Sequence, residues 1–457
     1  MQSFRSEIEN PIVEKDILDL AKKIAQFKAG EIHEEKFRSL RLARGVYGQR
    51  QQGVQMIRIK LPYGKIQFHQ WKRIADISDE YSTGNLHLTT RQDIQIHFVS
   101  LDRTPELWAK LEQDDITLRE ACGNTVRNIT ASPTSGIDPK ELFDVSPHAD
   151  AAFRYFLRNP ICQEMGRKIK MSFSNTEEDT SLAYLHDVGF IPKFQNGTRG
   201  FKVVVGGGLG AQPMLAHTAY EFLAEDQVIP FIESVLRVFD RHGERNSRHK
   251  ARMKFLIQKI GFEEFMHLVN AETKALKNHS FAIADASAWE VSEPTLTADI
   301  KAPETAEYQT WLDTNTFEQK QKGFHAVYVR ILNGNISSDT SRSLIEALTG
   351  YVGDDVRITI NQGLMLKFVP TANLPYVFQV LNAHGLAAPG ANSIANITAC
   401  PGTDTCNLAI SDSTHITSKL EQVINEEFPA LIHDSAMKIK ISGCMNACGQ
   451  HSMASIG

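Results

Sequence analysis

Cysteine is scarce in this chain, with six in 457 residues, so no disulfide framework of the kind that staples small secreted domains is available. No apolar run approaches the roughly 18 residues of a membrane-spanning helix. A basic excess is also missing. Lys and Arg total 49 against 54 Asp and Glu, for a net charge of −5, which argues against a nucleic-acid partner. The first residues, M-Q-S-F-R-S-E-I-E-N-P-I-V-E-K-D, carry acids and no apolar h-region, so they do not read as a secretory signal. The expected compartment is the cytoplasm, with no membrane partner, where thiols stay reduced. The 16 histidines show no H-x-x-x-H spacing. A chain this long buries a large core and should divide into two to four domains.

Four of the six cysteines fall in the last 58 residues, as two pairs. Cys400 and Cys406 lie in T-A-C-P-G-T-D-T-C-N, and Cys444 and Cys448 in S-G-C-M-N-A-C-G. Four thiolates among small, glycine-rich neighbours suit an iron–sulfur cluster, which takes four cysteine ligands. Zinc remains a competitor, although its paired ligands usually stand two to four residues apart. Structural thiols are the third reading. Cys122 and Cys162 have no partner spacing and read as small buried residues.

The chain is also a duplication. Displaced by 270 positions, G-V-Q-M-I-R-I-K-L-P-Y-G-K-I (53–66) lies over G-F-H-A-V-Y-V-R-I-L-N-G-N-I (323–336), and L-T-T-R-Q-D-I-Q-I-H-F-V (88–99) over I-T-I-N-Q-G-L-M-L-K-F-V (358–369). N-I-T-A-S-P (128–133) matches N-I-T-A-C-P (396–401) at offset 268, and K-I-K-M-S-F-S (168–174) matches K-I-K-I-S-G-C (438–444) at 270. One module is used twice. Each copy reads strand, helix (67–82 or 337–350), two strands, helix (104–113 or 371–383), an α+β pattern. In Asp93–Phe98 the apolar residues should take one face and the polar ones the other, His97 among them. The expected organisation is a charged helical arm (1–45), a first half-domain (46–117), a domain without the paired cysteines (118–279), a linker (280–317), a second half-domain (318–389) and a domain that carries them (390–457). Copy one should continue through a helix near 215–240 and a basic helix near 247–260.

Copy one carries Ser132, Asp138, Ser174 and Glu178 where copy two has its cysteines. It carries cations instead: Arg91 stands opposite Asn361, Arg127 opposite Ala395, and Lys168 and Lys170 precede the missing third cysteine. Packed about a pseudo-two-fold axis, the copies would place a basic pocket opposite the cysteines. A redox centre beside an anion pocket suits reduction of a small anion. The run V-V-V-G-G-G-L-G-A (203–211) invites a dinucleotide reading, but the surrounding strand–helix–strand pattern is not clear, and a tight loop is the better expectation.

On L-T-T-R-Q (88–92), V-R-N-I-T (126–130), R-K-I-K (167–170), C-P-G-T-D-T-C and G-C-M-N-A-C, the chain resembles the sirohaem-containing sulfite and nitrite reductases over most of its length. The resemblance implies a duplicated ferredoxin-like half-domain plus an α/β cluster and sirohaem domain about a pseudo-two-fold axis. It also implies a 4Fe–4S cluster on Cys400, Cys406, Cys444 and Cys448, with Cys448 bridging to sirohaem. Arg91, Arg127, Lys168 and Lys170 would act on the substrate, and Arg167, Arg91 and Asn128 would contact sirohaem. The implied reaction is six-electron reduction of sulfite to sulfide, or of nitrite to ammonia, with electrons from ferredoxin or a flavoprotein. Family sulfite enzymes tend to keep both lysines of R-K-x-K, as here, and sulfite bears the larger charge, so sulfite is preferred. A non-catalytic iron–sulfur or zinc protein on the same scaffold is the alternative. By the same offset, about 90 residues of copy one have no counterpart after Gly457. The chain therefore reads as truncated at its C-terminus, with an exposed apolar and cysteine-bearing surface around 440–457, weak cofactor retention and little activity on its own.

Overall fold

A computed structural model describes residues 10–284 and 293–457. The described residues form two units: one takes the chain up to Leu118 and again from 293, the other runs from Arg119 to 284. The first nine residues of the expected N-terminal arm lie outside the described residues. The rest of the arm is the helices Pro11–Lys28 and Glu34–Leu42.

In the first unit the duplication repeats strand by strand. Val54–Ile59 pairs antiparallel with Ile94–Ser100, flanked by Val46–Gly48 and Asn85–Leu88. Phe324–Val329, Leu364–Pro370, Thr316–Glu318 and Val356–Ile358 repeat that order. Each sheet then receives a strand from the other copy: Lys65–Ile66 pairs with Val356–Ile358, and Asn335–Ser337 with Asn85–Leu88. The exchange pairs one sheet edge of each copy and makes the copies reciprocal halves of one body, the expected pseudo-two-fold arrangement.

The helix Phe68–Tyr81 forms because Phe68, Trp71, Ile74, Ala75, Ile77, Ser78 and Tyr81 recur at helical spacing and are buried. Gln67 and Gln70 cap its start reciprocally, and the Phe68 N–H donates to Asp354 Oδ1 of copy two at 2.6 Å. Its counterpart Ser338–Leu348 packs against it, and Arg342 of the second helix reaches Asp79 of the first at 2.6 Å. One hydrophobic core, with Trp71, Trp108 and Trp311 fully enclosed, runs through both copies.

One expectation is corrected here. The alternation read through Phe98 stops at His97, because the pairing steps from Gln55↔Val99 to Ile57↔Ile96. Two residues face one, a β-bulge with Phe98 at φ 65°, so Phe98 turns outward and Val99 takes the buried place. Copy two bulges alike at Phe368, φ 52°.

The second unit is a five-stranded mixed sheet in the order His217–Ala224, Thr198–Val205, Val188–Gln195, Ile169–Phe173, Val126–Ala131. The last three run parallel and the others antiparallel. The helix expected across 215–240 is thus a strand followed by the helix Val228–His242: H-T-A-Y-E-F-L-A pairs with Thr198–Val205 in spite of two register shifts. The basic helix starts later than expected, at Met253. The stretch expected as linker, 280–317, ends in the helix Ala306–Asn315 and the start of the strand Thr316–Glu318; its residues 285–292 lie outside the described residues. The glycine run closes the strand Thr198–Val205 and returns through a bridge between Gly208 and Met214 to another strand. The glycines therefore do not lead into the helix N-terminus on which a dinucleotide phosphate would rest.

Candidate functional site

The cysteine loops are built on a short parallel pair. Thr398–Ala399 runs beside Lys440–Ile441, so Cys400 and Cys444 leave the pair at the same end. The Cys400 N–H donates to the Ile441 carbonyl at 3.2 Å and the Cys406 N–H to that of Gly402 at 3.1 Å. Glycine is required by close approach: a Cβ on Gly443 would stand 2.8 Å from the Gly402 Cα, and one on Gly449 would collide with the Ile441 carbonyl. Two N–H groups already face sulfur, Gly443 N to Cys400 Sγ at 3.1 Å and Asn446 Nδ2 to Cys444 Sγ at 3.4 Å. Burial pushes the Cys400 and Cys406 thiols up, and Cys406 also feels Cys448, Cys400 and Cys444, so the four thiols share one electrostatic neighbourhood. Cys400 is buried and Cys448 exposed.

A tetrahedral zinc would draw its sulfurs to within about 3.8 Å of one another. Among the described residues no three His, Cys, Asp or Glu side chains close on one point in that way. The four thiols share one electrostatic neighbourhood, and their donor set, N–H···S bonds and glycine-lined walls fit a polynuclear cluster.

Residues of copy one embrace these loops. The Arg50 N–H donates to the Thr405 carbonyl at 2.8 Å, and its guanidinium to the carbonyls of Cys406 (3.3 Å) and Ala409 (2.6 Å). Arg91 sits in a turn held by Thr89 Oγ1, which accepts from the N–H groups of Arg91 (3.3 Å) and Asp93 (3.1 Å). The neighbouring Thr90 Oγ1 donates to the Cys448 carbonyl at 2.9 Å. Gln362, fully enclosed, donates Nε2 to the Leu88 carbonyl at 3.1 Å and accepts the Ala399 N–H on Oε1 at 2.9 Å. Its counterpart Gln92 donates to the Ile358 carbonyl at 3.0 Å. Sequence reading passed over Arg50, Thr90 and Gln362. Only the recurrence of glutamine at 92 and 362 offered a signal.

In the second unit, the positions matching the cysteines are filled by polar side chains. Ser132 bonds Thr134 at 2.9 Å, Thr134 donates to Asp138 at 2.9 Å, and Ser174 donates to Asp179 at 2.7 Å. Glu178 is exposed and pairs with Lys140 at 3.3 Å. The cations gather nearby in the chain. Arg127 and the buried Asn128 lie on the strand Val126–Ala131, Arg167 and Lys168 lead into the parallel strand Ile169–Phe173, and Lys170 is on it. Arg127 Nε donates to the Gly123 carbonyl at 3.0 Å. Burial, and then the charges of Lys170, Arg127, Arg252 and Arg167, hold the Lys168 ammonium well below the ordinary lysine range. The structure therefore brings Arg127, Arg167, Lys168 and Lys170 together in one unit, and ties the Arg91 turn to Cys448 in the other.

His97 lines a cavity of about 100 Å³ with His87, Asn335, Pro401, Asp404 and Thr414. His87 Nδ1 bonds Asn335 Oδ1 at 3.0 Å, and the two imidazoles stand 5.8 Å apart. Burial holds His87 down to about 4, and burial with His87 and Arg58 holds His97 to about 3.

The nitrite/sulfite reductase ferredoxin-like half-domain model matches this chain twice, at 47–114 and 317–384, and the nitrite and sulphite reductase 4Fe-4S domain model matches 122–277. The chain belongs to the nitrite and sulfite reductase family. The match named for the cluster falls on the copy that lacks the paired cysteines, and Cys400, Cys406, Cys444 and Cys448 lie outside the matched ranges. Relatives carry both names. A sulfite reductase [ferredoxin] of Mycolicibacterium paratuberculosis is 26% identical over 433 residues, covering 90% of this chain and 74% of its own. An assimilatory ferredoxin-dependent nitrite reductase of Haloferax mediterranei is 28% identical, covering 90% and 72%. The solved structure of the Mycobacterium tuberculosis NirA protein superposes with a TM-score of 0.79 at 25% identity, over 95% of this chain and 80% of that one. As a member of the family the chain is an oxidoreductase, and the family carries sirohaem and a 4Fe–4S cluster. Among the described residues no helix is long and apolar enough to cross a membrane.

Proposed function

We propose that this chain reduces sulfite to sulfide, that Cys400, Cys406, Cys444 and Cys448 hold the 4Fe–4S cluster with Cys448 shared with sirohaem, and that Arg91, Arg127, Lys168 and Lys170 serve the substrate. Arg167, Arg91 and Asn128 are assigned to sirohaem. When bound, the coupled pair supplies electrons singly to the sulfur centre. Ferredoxin is the proposed donor, on the strength of relatives named for their dependence on it.

The observation that carries the sulfite reading is the concentration of cations around Lys168. A site crowded with like charges is costly when empty and is relieved by an anion, more so by a dianion. The lowered proton affinity of Lys168 also makes it a ready donor as the substrate's oxygens leave as water. Arg127, whose guanidinium is anchored on backbone carbonyls, presents a fixed charge rather than a mobile one. The Arg91 turn, fastened to Cys448 through Thr90, couples a cation to the proposed bridging ligand.

Nitrite reduction is the second reading, favoured by the nitrite-reducing relatives of similar identity. Lys170→Asn separates the two. Steady-state reduction of both anions, in enzyme loaded with both cofactors, should show sulfite turnover falling by about tenfold more than nitrite turnover, since the dianion loses more from a missing cation. Equal losses would remove the preference for sulfite. A visible spectrum without haem bands would sink the sirohaem assignment altogether.

A further inference from the structure

Asp187 is fully enclosed at the head of the strand Val188–Gln195, and three segments meet on it. The backbone N–H of Lys170 donates to its Oδ2 at 2.9 Å. Arg252 closes on the same carboxylate, with Nη2 at 2.8 Å from Oδ1 and 2.9 Å from Oδ2 and Nε at 3.2 Å from Oδ1. The Asp187 carbonyl accepts the Gly206 N–H at 2.9 Å, at the start of the glycine loop. Arg252 lies against that loop so tightly that a Cβ on Gly208 would stand 2.7 Å from Nη2. Two residues on, Lys254 Nζ donates to the carbonyls of Gly208 (3.2 Å), Leu209 (3.1 Å) and Gln212. The loop that sequence alone left as a tight turn is thus the far wall of a clamp whose near wall is the Lys170 strand.

We infer that Asp187 and Arg252 are positioning residues of the anion site: the carboxylate fixes the Lys170 strand, and the guanidinium cancels the charge that this carboxylate would otherwise set beside the lysines. The inference rests on the reading that Lys168 and Lys170 bind the anion. A buried carboxylate is an unusual neighbour for an anion site, and it is tolerable there only because Arg252 neutralises it with nearly the full fork of its guanidinium. Removing Arg252 leaves a bare negative charge against the Lys170 backbone. Removing the charge of Asp187 instead keeps an acceptor for the Lys170 N–H and releases a cation toward the anion.

The two changes therefore have opposite signs, which a packing role alone does not produce. The test is calorimetric titration of the purified 457-residue chain with inorganic sulfite, with a thermal melt of each variant. Arg252→Gln should weaken binding on the order of tenfold. Asp187→Asn should bind sulfite as tightly as the parent or more tightly. The double variant, neutral again, should return to within about threefold of the parent. Lys170→Ala is the control. If the parent does not bind, or if Lys170→Ala binds like the parent, the anion-site reading itself fails. If Lys170→Ala weakens binding but Arg252→Gln does not, or the double variant is not rescued, the clamp is overturned. Should Arg252→Gln fail to fold, weaker binding by folded Asp187→Asn overturns it equally.

Discussion

Replacing Gln362 with leucine tests whether the two copies and the cysteine strand are held as one body. The side chain is nearly the same size, so no cavity opens, and the backbone keeps its positive φ of 63°. What changes is hydrogen bonding: the Leu88 carbonyl of copy one and the Ala399 N–H beside Cys400 both lose their partner. Each buried group left unsatisfied costs about 1–3 kcal/mol, so the loss should be about 2–6 kcal/mol. Trp71, Trp108 and Trp311 all lie in the core of this unit, so tryptophan fluorescence during urea unfolding reports on it. The chain has two units, and their transitions are to be fitted separately. The released Ala399 N–H should also loosen Cys400, and its reaction with a thiol reagent should accelerate in the cofactor-free chain. Gln92→Leu strands the Ile358 carbonyl but leaves the Ala399 N–H bonded to Gln362, and should destabilise without that acceleration. A change below about 0.5 kcal/mol together with unaltered Cys400 reactivity would refute the reasoning, since surface substitutions alone produce that much.

Acid should weaken this unit through His87. Its imidazole stays neutral in the fold down to about pH 4, while the unfolded chain takes up the proton near 6.5, so stability falls as pH drops across that window, by roughly 3 kcal/mol, and then levels. Urea midpoints measured from pH 7 to 4 should fall less steeply in His87→Gln, with the remaining slope carried by His97, and an unchanged slope would show that the proton is not taken up at His87. Gly449→Ala drives a Cβ into the Ile441 carbonyl and to 3.1 Å from the Cys400 N, so iron bound per chain after anaerobic reconstitution should fall severalfold. Parent-like iron content and melting in that variant would mean that the Cys448 loop closes differently.

The sequence by itself determined the duplication, the helices that follow its apolar spacing, and the cysteines and cations that are the candidates for the proposed sites. Those are local or self-referential signals. Helical periodicity shows in Phe68–Tyr81 alone, and the degenerate positions Ser132 and Ser174 show by comparison with Cys400 and Cys444 within one chain. Tertiary structure decided what lies across long stretches of chain. The exchange of Lys65–Ile66 and Asn335–Ser337 between sheets is invisible locally, because edge-strand pairing is backbone chemistry that any short extended segment can supply. The outward turn of Phe98 depends on which residues of the partner strand it faces, and the strand at His217–Ala224 on the hairpin waiting to pair with it. The same holds for Asp187: nothing in L-H-D-V-G marks a residue that joins a lysine strand, an arginine 65 positions away and a glycine loop. A carboxylate's role is set by which charges surround it once water has been excluded, and only the folded chain brings those charges together.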